Sequence, residues 1–180
     1  METSEHHLRE ILDKIKGLTE AQLTYYNQWA AVALDRYHMN SNAKYIFNID
    51  GNGIQCPLSW DSDFSKEGMK EKTDMAHFGG ISLAFFVMCV LLDFSHVQQS
   101  EIGEGVDYRF QKSNPNEDNF FSNSHYIEIS GLLEEYKTNT LNNRIKGKHQ
   151  QIDKGTRREE ASSIIVTLFA NPITIKEIHK

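Results

Sequence analysis

Residues 101–110 read EIGEGVDYRF and residues 125–131 read HYIEISG. Both segments alternate apolar and polar side chains, the period of a β-strand whose residues point to opposite faces in turn. Paired as a hairpin, they put Val106, Tyr108 and Phe110 on one face with Ile127 and Ile129. Asp107 and Arg109 fall on the other face with Tyr126, Glu128 and Ser130. Two carboxylates, Asp107 and Glu128, thus share a face on adjacent strands. The plain alternative is a solvated sheet face, with Asp107 bridged to Arg109 or Arg144 at small net gain.

Working outward, the hairpin is preceded by the most apolar part of the chain, Met75 to about Phe94, which reads as a buried helix with Gly79 and Gly80 marking a close backbone contact or a kink. Thr73-Asp74 offers its cap, and a shorter helix is expected to open near Ser65. After Gly131 the pattern predicts a helix from about Leu133 to Ile152, then a charged loop. Ser163 to Phe169 (SIIVTLF) is nearly continuous in apolar residues, as expected of a strand covered on both faces, with a polar tail beyond Asn171-Pro172.

Towards the N-terminus, Lys44–Ile49 and Ile54–Trp60 form a second hairpin about the Asp50-Gly51-Asn52-Gly53 turn, with Pro57 implying an edge position. Leu8, Ile11, Leu12 and Ile15 follow helical spacing over residues 4–16, ended by Gly17. Thr19 with Gln22 is a capping box opening a helix that runs to about Tyr37. The expected organisation is an N-terminal helical extension, residues 1–40, and an α/β (α+β) core domain over residues 41–180, with helices on both faces of a sheet in three layers.

Composition narrows the function classes. The net charge of −6 argues against broad nonspecific binding to nucleic acid, though not against a local basic groove. The two cysteines, Cys56 and Cys89, read as buried free thiols. The N-terminus METSEHHLRE has no secretory character, and the longest apolar run, Ile81–Leu92, is too short to span a bilayer, so a cytoplasmic protein with no membrane partner is expected. No zinc cluster, phosphate-binding glycine loop, nucleophile elbow or EF-hand is present.

Phosphodiester hydrolysis draws on a divalent ion to stabilise developing charge and activate water, and magnesium takes oxygen ligands from one or two carboxylates plus waters. Asp107 and Glu128 fit that need, and Glu101 or Glu104 is positioned in sequence to add a third oxygen ligand. The order helix, strand with Asp107, strand with Glu128, helix, strand resembles the PD-(D/E)XK, or restriction-endonuclease-like, nuclease superfamily over roughly residues 65–170. The resemblance implies a three-layer core, magnesium as cofactor, Asp107 and Glu128 as its ligands, and a Lys two residues after the second acid to orient the attacking water. It also implies a setting such as defence against phage.

The chain departs from that pattern: Ser130 stands where the Lys is expected, and no Pro precedes Asp107. Lys148 is the expected replacement. It lies seven residues after Leu141, about 20° from the apolar stripe of its helix, with Arg144 and Gln151 on the same flank. The alternative is a Lys snorkelling past the core edge. Arg144, Lys146, Arg157 and Arg158 form the one basic cluster suited to a nucleic-acid backbone, an acidic partner or solvent alike. His77 and His125 are weighed as phosphate or water ligands against satisfied core residues. The sequence therefore points to a metal-dependent nuclease-like domain. The alternative is a catalytically inactive nuclease-fold scaffold whose striped N-terminal helices pack on a protein partner or a second copy.

Overall fold

The computed structural model describes residues 4–112, 124–157 and 159–179. Its frame is one mixed sheet of eight strands: β1 (His6–His7), β2 (Asn42–Ile49), β3 (Asn52–Ser59), β4 (Phe94–Gln99), β5 (Tyr108–Lys112), β6 (His125–Leu132), β7 (Ser162–Leu168) and β8 (Ile173–Ile178). The spatial order is β1-β3-β2-β8-β7-β6-β5-β4. Strands β4, β5 and β6 form an antiparallel meander, β6 and β7 run parallel, and β8 returns antiparallel to β7 before meeting β2 in parallel. The helices are α1 (Ile11–Lys14), α2 (Glu20–Asp35), α3 (Lys72–Phe85) and α4 (Leu141–Lys154), with a 3₁₀ turn at Leu8–Glu10 and a π-helical extension of α3 over Phe86–Leu91. Adjacent parallel strands cannot be joined by a tight turn, and α4 supplies the crossover from β6 to β7.

Alternation along the strands sorts the core into two layers. Tyr108, Phe110, Ile127, Ile129 and Ile165 pack with α2 and α3 in the larger cluster, which also takes in Leu8 and Ile11. Tyr126, Leu132, Ile164, Val166 and Leu168 pack with Ile145 and Ile152 of α4 in the smaller one. Strand β7 is buried at every position, the outcome its apolar run implied. Cys56 and Cys89 are free and buried, and desolvation pushes the Cys89 thiol up to about 12.

Local chemistry explains several element boundaries. The capping box at α2 is present in both directions: Gln22 N–H donates to Thr19 Oγ1 at 3.2 Å and Thr19 N–H to Gln22 Oε1 at 2.9 Å. Asp50 and Gly51, with φ of 52° and 89°, make the two-residue turn between β2 and β3. Asp50 spends its carboxylate on Lys176 Nζ (2.8 Å) and Ile178 N–H (3.1 Å). Pro57 lies on the outer side of β3, where only the short β1 pairs, at Leu58 and Ser59.

Helix α3 presses on its neighbours through glycine. A methyl on Gly79 would meet Ala30 Cα at 3.1 Å, and one on Gly131 would meet the Ala76 carbonyl oxygen at 1.8 Å. The glycine pair in α3 therefore marks close backbone contact rather than a kink. Residues 72–91 are long and apolar enough to cross a membrane by composition, but 67% of their 18-residue apolar window is buried inside the protein, as for a core helix.

Several expectations are corrected. Residues 4–16 give a short strand, a 3₁₀ turn and a four-residue helix instead of one helix. No helix forms near Ser65, and α4 starts at Leu141, capped by Thr140, rather than at Leu133. Strands β4 and β8 occupy FSHVQQ and ITIKEI, where a loop and a polar tail were expected; the first is largely polar, while the second alternates Ile173 and Ile175 with Thr174 and Lys176, a strand period within the expected tail. Val106 packs with Tyr126 and Ile145 on the α4 side, not with Tyr108, because β5 begins only at Tyr108.

The glycine contacts carry a direct test. Gly131→Ala should cost about 3 kcal/mol, since backbone rather than a flexible side chain must yield. Gly147→Ala, on α4 with open space around it, should instead add about 0.5–1 kcal/mol through helix propensity. Urea unfolding of the two variants checks both, and a neutral Gly131→Ala would contradict the packing described.

Candidate active site

Asp107 enters the site from the residue just before β5. Its N–H donates to the Ile127 carbonyl at 2.8 Å, which extends the pairing of Tyr108 with Ile127 by one position and sets Asp107 opposite Glu128. Its Oδ2 accepts the Ile129 N–H at 2.7 Å. This fixes the Asp107 carboxylate against β6, on the face that looks toward α4.

Glu128 projects from the middle of β6 into the seam between the sheet and α4, and its side chain has 0% exposure. Oε1 is in close contact with Lys148 Nζ, while Oε2 is buried with no hydrogen-bond partner among the described residues. Burial, reinforced by the negative charge of Asp107 and opposed by Lys148, raises the Glu128 carboxyl to about 7. Lys148, two turns into α4, also reaches Gln151 Oε1 at 3.3 Å. The structure thus brings Asp107, Glu128 and Lys148 together from three elements, with Ser130 buried beside them on β6. Asp107 is not bridged to Arg144, whose Nε donates to Asn139 Oδ1 at 2.8 Å.

The remaining candidates distribute differently. Glu104 places Oε1 against Arg157 (2.7 Å to Nε) and accepts the Glu101 N–H on Oε2 at 3.0 Å. Gly105 and Gly155 touch closely enough that a methyl on Gly155 would lie 2.3 Å from the Glu104 carbonyl oxygen, pinning this loop to the end of α4. Glu104 is therefore a structural anchor. Glu101 is exposed on the cleft that Asp107 lines, and among the described residues no three His, Cys, Asp or Glu side chains converge as a metal cluster. The expected third acid is not delivered to the pair.

The expected basic cluster is also split. Arg157 is engaged by Glu104 and Glu160 and lies over the Tyr126 ring at 5.2 Å. Arg144 lines a different cleft together with Lys148, Lys146 is exposed elsewhere on α4, and Arg158 lies outside the described residues. His125 points to the opposite face from Glu128, donating or accepting at Ser163 Oγ (2.8 Å), is half-buried, and burial lowers its pKa to about 4; it stands away from the acid pair. His77 is exposed at the rim of the Arg144–Lys148 cleft, a placement the sequence had not given it.

Asp107 and Glu128 are the two oxygen donors that a magnesium ion would draw on here, since such an ion takes one or two carboxylates and keeps several of its waters. Asp107 is open to a cleft, whereas Glu128 is sealed, and its carboxyl, raised by burial and by Asp107, has first to give up its proton. Asp107 lines a cleft of about 440 Å3 and Lys148 one of about 570 Å3, whereas Glu128, sealed between them, lines neither. Comparison with protein-family models, with curated proteins and with solved structures finds no match to this chain.

The raised Glu128 carboxyl has a thermodynamic consequence. Its ordinary value is 4.5, so between pH 4.5 and about 7 the folded chain binds more protons than the unfolded chain. Stability from this group is greatest below pH 4.5 and is lost as the pH climbs toward 7. Glu128→Gln should therefore gain on the wild type across that window, and Lys148→Met should extend the loss above pH 7. Urea midpoints at pH 5, 6, 7 and 8 measure this; a wild-type-to-variant difference that does not change with pH would refute it.

Proposed function

We propose that this chain is a metal-dependent nuclease-like domain that hydrolyses nucleic-acid phosphodiesters, with Asp107 and Glu128 as magnesium ligands and Lys148 as the neighbouring cation. One observation carries the reading: a fully buried glutamate with an unpartnered oxygen, opposite a second carboxylate and beside a lysine. Burying charge is costly, and a purely structural strand seldom keeps so ill-satisfied an acid. The order α3, β4, β5 with Asp107 just before it, β6 with Glu128, α4, β7 supports reading the core as restriction-endonuclease-like. In that reading the protein acts in the cytoplasm, in a setting such as defence against phage.

Bound magnesium would supply charge neutralisation at the phosphate and a more acidic water. The chain's own residues do the rest. The Ile129 N–H holds the Asp107 carboxylate in a fixed orientation, so no reorganisation is needed on binding. Glu128 must lose its proton to act as a ligand, which becomes favourable as the pH rises through about 7. Lys148 holds the Glu128 charge while the acid is otherwise uncompensated, and its ammonium can turn to orient the attacking water or meet the phosphate, the part Ser130 cannot play. The seam between β6 and α4 keeps the reacting groups out of bulk solvent.

The Lys148–Glu128 pair also favours a second reading. It compensates the buried acid without any ion, as an inactive scaffold of the same fold would require.

Cleavage assays on single- and double-stranded DNA and RNA with magnesium or manganese separate the two. Asp107→Ala and Glu128→Ala should each lower cleavage at least about a hundredfold, Lys148→Ala should lower it with less effect on magnesium affinity, and wild-type magnesium affinity should rise between pH 6 and 8. A wild-type protein that neither cleaves these substrates nor binds magnesium in calorimetry would leave the scaffold.

A further inference from the structure

The cleft of about 570 Å3 lies between the first turn of α3, the C-terminal half of β6 and the first turns of α4. Lys72, Arg144 and Lys148 line it, with His77 at the rim and Glu134 as the single opposing carboxylate. In a chain of net charge −6 this is a local excess of cations, assembled from segments some seventy residues apart. Lys148 belongs both to this cleft and to the acid pair, so a ligand seated here reaches the carboxylates through one side chain.

The rim carries a second feature. Tyr136 is 65% exposed, yet it stands on a turn that is held firmly. Tyr136 and Asn139 exchange both backbone hydrogen bonds, at 3.2 and 2.9 Å. Asn143 Nδ2 donates to the Thr138 carbonyl at 2.6 Å, Leu141 N–H to Glu135 Oε1 at 2.7 Å, and Arg144 Nε to Asn139 Oδ1 at 2.8 Å. Lys137 sits at φ 50°, an uncommon conformation for its residue type, with its ammonium 4.9 Å from the Tyr136 ring centroid. Strain of this kind persists where the surroundings impose it. The result is an exposed aromatic ring on a braced turn, at a cleft that Lys72, Arg144 and Lys148 also line.

We infer that this cleft seats a single-stranded segment of nucleic acid, with phosphates on Lys72, Arg144 and Lys148 and a base stacked on Tyr136. The inference rests on the nuclease reading and adds the strand form and the path. Aromatic stacking beside a cationic groove is how single strands are held without sequence preference, because every base has a face to stack. Cavities of roughly 300–1,000 Å3 enclose ligands of small-molecule size, which suits a nucleotide or two and not the girth of a duplex.

Binding is read apart from catalysis by fluorescence anisotropy in EDTA, using labelled single-stranded oligo-dT and oligo-U and a labelled duplex. Lys72→Ala, Arg144→Ala and Tyr136→Ala should each weaken single-strand binding about five- to tenfold, whereas Tyr136→Phe and Lys146→Ala should bind as wild type. The salt dependence of log Kd should flatten by about 0.7 for each phosphate contact removed. If the wild type binds and the three cleft variants match it, the cleft assignment falls, while loss of cleavage in Asp107→Ala would still uphold the nuclease reading. Tighter binding to duplex than to single strand overturns the strand assignment. Binding that behaves as described without any cleavage leaves the cleft standing and removes the catalyst, and absence of both binding and cleavage removes the two together.

Discussion

A carboxylate sealed inside a protein has to be compensated, and Glu128 is compensated from one direction only. Lys148 of α4 approaches one oxygen, and Asp107 stands on the other side with a charge of the same sign. The second oxygen has no hydrogen-bond partner among the described residues. Desolvation and repulsion together exceed the attraction of one ammonium, which is why the carboxyl is held near neutrality in its proton affinity. This balance links α4 to β6 through the Lys148–Glu128 contact.

The rest of the frame serves that seam. Gly131, three residues beyond Glu128, lets the backbone of α3 lie directly on β6 from the opposite face. Strand β6 is thereby clamped between α3 and α4, and its alternation has no freedom to slip, because a one-residue shift would turn Glu128 into the apolar layer. At the other end, the contact between Gly105 and Gly155, with Arg157 on Glu104, ties the segment before β5 to the end of α4 and so settles where Asp107 stands. Residues 104 and 157 are anchors of the site rather than members of it.

The two clefts differ in charge. The one beside Asp107 carries Glu101 against Lys154, whereas the one beside Lys148 adds Lys72 and Arg144 against Glu134. In the proposed reading a polyanion and a cation can therefore meet at the acid pair from different sides. A basic surface contiguous in sequence was expected over residues 144–158, but α4 turns Arg144 and Lys146 to different surroundings, and Glu104 takes Arg157.

The sequence alone determined the elements whose signals are local. Two hydrogen bonds between near neighbours are enough to start α2 at Thr19; two positive-φ residues are enough to turn the chain at Asp50-Gly51; and an unbroken apolar run is enough to bury β7. Strand alternation likewise put Asp107 and Glu128 on one face, and the seven-residue interval from Leu141 aimed Lys148 toward them. What only the tertiary structure decided were the matters set by long-range contact. These include the places of β4 and β8 in the sheet, set by the strands they pair with, the turned-over Val106, and the capture of Glu104 by Arg157. They also include the joining of Lys72 to Arg144 in one cleft. Side-chain period is a property of the chain, but the partner that neutralises a buried charge is chosen by whichever distant element packs against it.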